Sequence, residues 1–105
     1  MKLITATIIL FFLISFKNVK ANLAYITNEK DNTVSVIDIK KKKVIKTVKV
    51  GQRPRGIIMT KDGKLLLVAT SDDDRVEVRD AVTMKLKYHL PSGPDPELFI
   101  LSPDD

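Results

Sequence analysis

The sequence predicts an all-β protein built from tandem units of four short antiparallel strands. Three observations predict it. Beyond residue 21 the chain matches itself at a shift of 42 residues without a gap. Its short apolar segments alternate with polar residues at a period of two, the pattern of a strand with one buried face. Turn residues separate these segments, and no helix-length window is amphipathic.

The first 21 residues stand outside this pattern. Met1-Lys2 is a short basic start, Leu3 to Phe16 is an uncharged apolar stretch of 14 residues, and "KNVKA" ends in Val19 and Ala21. That is the layout of a signal peptide cleaved after a small residue. A membrane-spanning helix needs roughly 20 apolar residues. Residues 1–21 are therefore expected to direct export, with cleavage after Ala21 and a periplasmic or secreted destination. The membrane is met only through this segment.

Removing it takes Lys2, Lys17 and Lys20 from a formal charge of +5 and leaves +2. That charge is split along the chain. Residues 22–64 carry 11 Lys/Arg and 4 Asp/Glu, or +7; residues 65–105 carry 4 and 9, or −5. The basic half contains "KKKK" at Lys40–Lys43, between two strand-like segments, where a solvated turn is expected. With few aromatic residues to stack on bases, and with export expected, no nucleic-acid partner is expected.

The repeat orders the rest. Leu23 meets Leu65, Asp31 meets Asp73, Val34 and Val36 meet Val76 and Val78, and Asp38 meets Asp80. Gly51 meets Gly93, Pro54 meets Pro96, Ile58 meets Ile100, and Asp62 meets Asp104. A period of roughly 40–45 residues is the length of a four-stranded β-propeller blade.

Element by element, "LAYIT" and "LLLVAT" are nearly continuous apolar runs, expected to be strands buried on both faces. "GIIMT" and "LFILS" carry the same expectation. "TVSVID" and "RVEVRD" alternate and predict half-buried strands, as do "KVIKTVKV" and "KLKYHL". "KDGK" supplies the Asp-Gly of a tight hairpin. In blade order this gives three outer strands over 23–50, one complete blade over about 55–91, and the first strand of another blade at 97–102.

These residues resemble a known family. "AYITNEKDNTVSVIDIKKKKVIKTVKVGQRPRGIIMTKDGK" is similar to the YVTN-type β-propeller repeat, with "YITN" at the naming tetrapeptide. "GQRPRGI", "ATSDDDRVEVRD" and "PSGPDPELFILSPD" resemble the periplasmic propellers associated with pyrroloquinoline-quinone-dependent alcohol catabolism. The resemblance covers residues 23–105. It implies that the strand after each Pro loop is innermost, and that the sequence is a piece of a longer propeller of several blades. The second repeat departs from the tetrapeptide, with "LVATS" at Leu67–Ser71. Neither a Trp-Asp nor a Gly-His pair occurs, which disfavours the WD40 group.

Candidate functional residues lie in the loops before the inner strands. Arg53 and Arg55 stand one repeat before Asp95 and Glu97, so two adjacent blades bring two guanidinium groups beside two carboxylates. The Arg fork suits anions and partner proteins; the competing reading is an ion pair that locks the blades in register. Asp72–Asp74 is expected to be a solvated turn, since no spaced ligand series follows. His89 is expected on an outer strand. One histidine and no cysteine leave no metal set, no catalytic residue and no cofactor attachment in view.

The function expected is that of a non-catalytic periplasmic propeller binding a protein or small-molecule ligand at its channel face, accessory to quinoprotein alcohol oxidation. The alternatives are a propeller enzyme, either haem d1 reductase-like or lactonase-like, and a surface adhesive repeat protein.

Overall fold

A computed structural model describes residues 22–104. The proposed signal peptide, residues 1–21, lies outside them. The first sheet is β1 (Leu23–Asn28), β2 (Thr33–Asp38) and β3 (Lys43–Lys49), in the order β1-β2-β3. The second is β4 (Pro54–Met59), β5 (Leu65–Thr70), β6 (Arg75–Asp80) and β7 (Leu86–Pro91), in the order β4-β5-β6-β7. All pairings are antiparallel. The fold is the all-β, blade-forming architecture that the repeat predicts.

The repeat holds at the level of register. Leu23 faces Asp38 and Asn28 faces Thr33; one repeat later Leu65 faces Asp80 and Thr70 faces Arg75. The register shifts between Val36 and Ile37 in the first sheet and between Val78 and Arg79 in the second. Even the unusual backbone repeats. The non-glycine residues with positive φ form three pairs 42 residues apart: Asn32 with Asp74, Lys42 with Met84, and Arg53 with Asp95. Asn and Asp tolerate this conformation; the others adopt it because the turn geometry requires it.

Local chemistry makes the turns. Asp38 Oδ1 accepts the Lys41 N–H at 2.9 Å, so "KKKK" turns as expected and Lys43 opens β3. Asp80 Oδ1 does the same for Val82 and Thr83, both at 2.8 Å. These bonds hold the Asp80 carboxyl below the usual carboxylate range. Asp62 Oδ1 accepts from Lys64 N at 2.9 Å and from Thr60 Oγ1 at 2.7 Å, closing the Asp-Gly hairpin.

The core is the seam between the sheets. Val34, Val36 and Val50 of the first repeat pack on Leu66, Val68, Ala81 and Met84 of the second, with Tyr25, Val48, Ile57 and Met59 at the margin. A second cluster lies on the other face of β5 and joins Leu67, Ala69, Val76 and Val78 to Phe99 and Leu101. Each fully buried side chain of this size contributes about 1.5–3 kcal/mol.

Burial departs from the sequence expectation in three places. The outermost strands β3 and β7 are not half-buried: every residue is exposed except the half-buried Val48. Only the inner parts of the sheets meet, so the outermost strands lack a cover. The polar face of β6 is not solvated; Glu77 is 3% exposed and Arg79 8%, because the first sheet packs over it. Of the apolar runs, β5 alone is buried nearly throughout. In "LFILS", Phe99 and Leu101 pack inward while Leu98 and Ile100 are 88% and 89% exposed. This segment is in no ladder among the described residues.

Candidate functional site

Strand direction gathers the site. The β1–β2 turn, the β3–β4 loop, the β5–β6 turn and the loop after β7 all open at one end of the two sheets. The loops are pinned there by repeated bonds. Arg53 N–H donates to Asn32 Oδ1 at 2.8 Å, and one repeat later Asp95 N–H donates to Asp74 Oδ1 at 2.9 Å. Gln52 N–H donates to Asp73 Oδ2 at 2.7 Å. Gly56 is needed for the next layer to approach: a Cβ there would lie 2.7 Å from the Glu97 carbonyl oxygen and 3.3 Å from the Phe99 ring.

On this frame the structure brings together all four candidate residues. Arg55 Nη1 donates to Glu97 Oε1, and Arg53 Nη1 lies 3.8 Å from Asp95 Oδ1. Two further carboxylates join them. Glu29 Oε1 accepts from Arg53 Nε at 2.9 Å and lies 3.8 Å from Arg55 Nε; Asp72 Oδ1 is 3.5 Å from Arg53 Nη1. The hydrogen bond from Arg53, then the nearby Arg55, hold the Glu29 carboxyl below its ordinary range; the same bond raises Arg53.

Sequence reasoning missed Glu29 and Asp72 because neither lies in a Pro loop. The signal was available in the strand count: a turn two strand reversals from a loop opens at the same end. The Asp72–Asp74 run also differs from a merely solvated turn. Its carboxylates diverge to Arg53, to Gln52 N–H and to Asp95 N–H.

Chemically, the cluster sets two guanidinium groups among four carboxylates. The donor forks are engaged, so a lone small anion would have to displace a carboxylate. Clefts of about 320 and 470 Å³ flank it, the first between Thr27, Arg55 and Leu98, the second between Lys30, Gln52 and Asp72; Glu29 borders both. Such a mixed surface suits a polar partner with both charge signs.

A second charged group is buried between the sheets. Arg79 Nε donates to Glu77 Oε1 at 2.9 Å and Arg79 Nη1 to the Met84 carbonyl oxygen at 2.8 Å. His89 Nε2 lies 4.0 Å from Glu77 Oε2, on β7 as expected. Gly51 leaves room for this group: a Cβ there would stand 3.0 Å from Glu77 Oε2.

Comparison with known proteins places the chain. The profile of the cytochrome D1 haem domain matches residues 13–97. The chain belongs to the cytochrome D1 haem domain family. Among solved structures it is similar to hydrazine synthase of Kuenenia stuttgartiensis, with 28% identity and a TM-score of 0.73 over 78% of this chain and 23% of that one. It is also similar in fold to apo AztD from Citrobacter koseri, with 23% identity and a TM-score of 0.63 over 72% of this chain and 22% of that one. The chain thus spans under a quarter of the length of either structure. No curated protein matches it. For this family member, the comparisons agree with the β-propeller architecture read from the repeat.

Proposed function

We propose that the chain forms part of an exported, non-catalytic propeller that binds a partner or ligand at the loop face carrying Arg53, Arg55, Asp95 and Glu97. The observation that carries this reading is the exposed six-residue ion-pair cluster, completed by Glu29 and Asp72 and flanked by two clefts. The link to quinoprotein alcohol oxidation, and to the periplasm, rests on the resemblance of the Pro loops and on the apolar start of the chain.

The family match favours a second reading, a haem-bearing propeller. Haem iron is held by an axial His, Cys, Met or Tyr. The described residues do not fit that role at the loop face. His89 and Tyr88 stand on the outermost strand, Met59 ends β4 away from the Pro54 loop, Tyr25 Oη donates to the Ala81 carbonyl oxygen, and Met84 is 2% exposed in the seam.

The test is Arg55→Ala in the whole protein, with two readouts. Binding to a periplasmic quinoprotein dehydrogenase should weaken by about 1–3 kcal/mol, the scale of a lost charged hydrogen bond. The melting temperature should stay nearly unchanged, since an exposed pair contributes about 0–1 kcal/mol. A fall in melting temperature with binding intact would make the cluster a register lock only. Titration with haem should leave the haem spectrum unaltered; a ligation-type shift would favour the second reading.

A further inference from the structure

Strand direction also gathers a second face. The β2–β3, β4–β5 and β6–β7 turns open at the end opposite the Arg53 loop. Backbone and side-chain bonds fix them there. Ala81 N–H donates to the Lys64 carbonyl oxygen at 2.9 Å, and Lys46 Nζ, from β3, to the Thr83 carbonyl oxygen at 3.3 Å. These turns carry Lys40 to Lys43, Lys64 and Lys85, all exposed. Their aspartates, Asp38, Asp62 and Asp80, each accept N–H groups of their own turn and are outnumbered by the lysines. Two apolar side chains stand among the lysines, Ile39 at 53% and Val82 at 82% exposure. The three turns contain no arginine and no aromatic residue.

The chain enters the fold at this face. Asn22 precedes β1, and its carbonyl oxygen accepts the Ile39 N–H at 3.0 Å. The apolar residues 3–16 end six positions before Asn22, a reach of about 20 Å even when fully extended. Export through a membrane therefore delivers the lysine face beside the bilayer. The side chains suit the same partner. Lysine is a hydrated point charge on an apolar stem, which lies along a surface while its head stays in water. Protein-binding faces are enriched instead in Arg and aromatic residues, both missing from these turns. Lysine clusters next to an apolar segment are drawn to anionic lipid.

We propose that this turn face docks on the surface of a bilayer containing anionic lipid. The lysines meet headgroup phosphates, and Ile39 and Val82 dip into the boundary below them. The sequence alone places membrane contact in residues 1–21; the fold adds a second contact that outlasts cleavage after Ala21. Docked this way, the cluster of Arg53, Arg55, Asp95 and Glu97 points away from the bilayer, toward soluble partners.

The test uses the whole mature protein, beginning at Asn22, so that residues 1–21 contribute nothing. It should sediment with vesicles of about three parts phosphatidylcholine to one part phosphatidylglycerol, and not with phosphatidylcholine alone. Raising the salt should release it. Each lysine near such a surface is worth about fivefold in partitioning, so Lys40→Gln, Lys41→Gln and Lys43→Gln together should weaken binding by about a hundredfold. The charge-matched set Lys30→Gln, Lys49→Gln and Arg75→Gln lies at the loop end and should change binding by no more than about threefold. All six residues are exposed, and both variants should melt with the unaltered protein. No binding to the anionic vesicles, or equal losses in the two variants, overturns the proposal. So does equally tight binding to soluble polyglutamate that is lost in the Lys40 variant, which would assign the face to an acidic protein.

Discussion

Strands β1 and β5 occupy the same place in the repeat and pair with β2 and β6 in the same register. Yet β5 is buried along nearly its whole length and β1 is not. The difference lies in the neighbours. β5 has β4 on one edge and β6 on the other, the first sheet on one face and Phe99 with Leu101 on the other. β1 has one ladder partner and one covered face among the described residues. The same contrast separates Val48, half-buried at the seam, from its counterpart Leu90, 40% exposed. Equivalent residues in a repeat protein thus differ in energy because each unit is stabilised by what stacks on it.

The strongest way to break this comparison is at Glu77 and its counterpart Ser35. Glu77→Ala leaves Arg79 buried beside no carboxylate and should destabilise by about 3–5 kcal/mol. Ser35→Ala removes an acceptor of Asn28 Nδ2 and should cost about 0.5–1.5 kcal/mol. Urea unfolding at one fixed protein concentration measures both. Equal losses would mean that the seam does not desolvate Glu77 as the fold indicates.

Next in size is the contrast between seam and edge. Leu66→Ala, at 1% exposure, should cost about 2–5 kcal/mol. Ile45→Ala, at 53% exposure on β3, should stay within about 0.5 kcal/mol. Thermal melts of the two variants should separate clearly.

The loop pins offer a case where the two repeats should agree. Asn32→Ala and Asp74→Ala each remove the acceptor of a loop N–H. Each should cost about 1 kcal/mol and raise amide exchange at Arg53 and Asp95 respectively. Exchange that changes at only one site would show that only one loop depends on its pin.

The smallest effect is acid titration of the exposed cluster. The folded pKa of Glu29 lies below its ordinary value of 4.5. Its favourable contacts with Arg53 and Arg55 are therefore complete above that value and fade as pH falls through the lowered pKa. Salt should reduce the effect, since the pair is solvent-exposed. Carbon-detected titration of the Glu29 carboxyl in unaltered and Arg53→Gln protein should show the depression disappear in the variant.

The sequence by itself determined the unit, its period, its strand sequence and its turns. Those properties depend on local chemistry: alternation at period two, Asp-Gly at the hairpin, and Gly-x-x-Pro before each inner strand. It also placed Arg53 and Arg55 against Asp95 and Glu97, because a shift of one repeat is legible without coordinates. Only the tertiary structure decided which strands are buried, since "LAYIT" and "LLLVAT" read alike but have different neighbours. It alone brought Glu29 and Asp72 to the arginines, because turns distant in the chain meet only when the sheets stack. It also turned Glu77 and Arg79 inward: period-two alternation fixes which residues share a face, but whether that face meets water depends on the sheet packed over it.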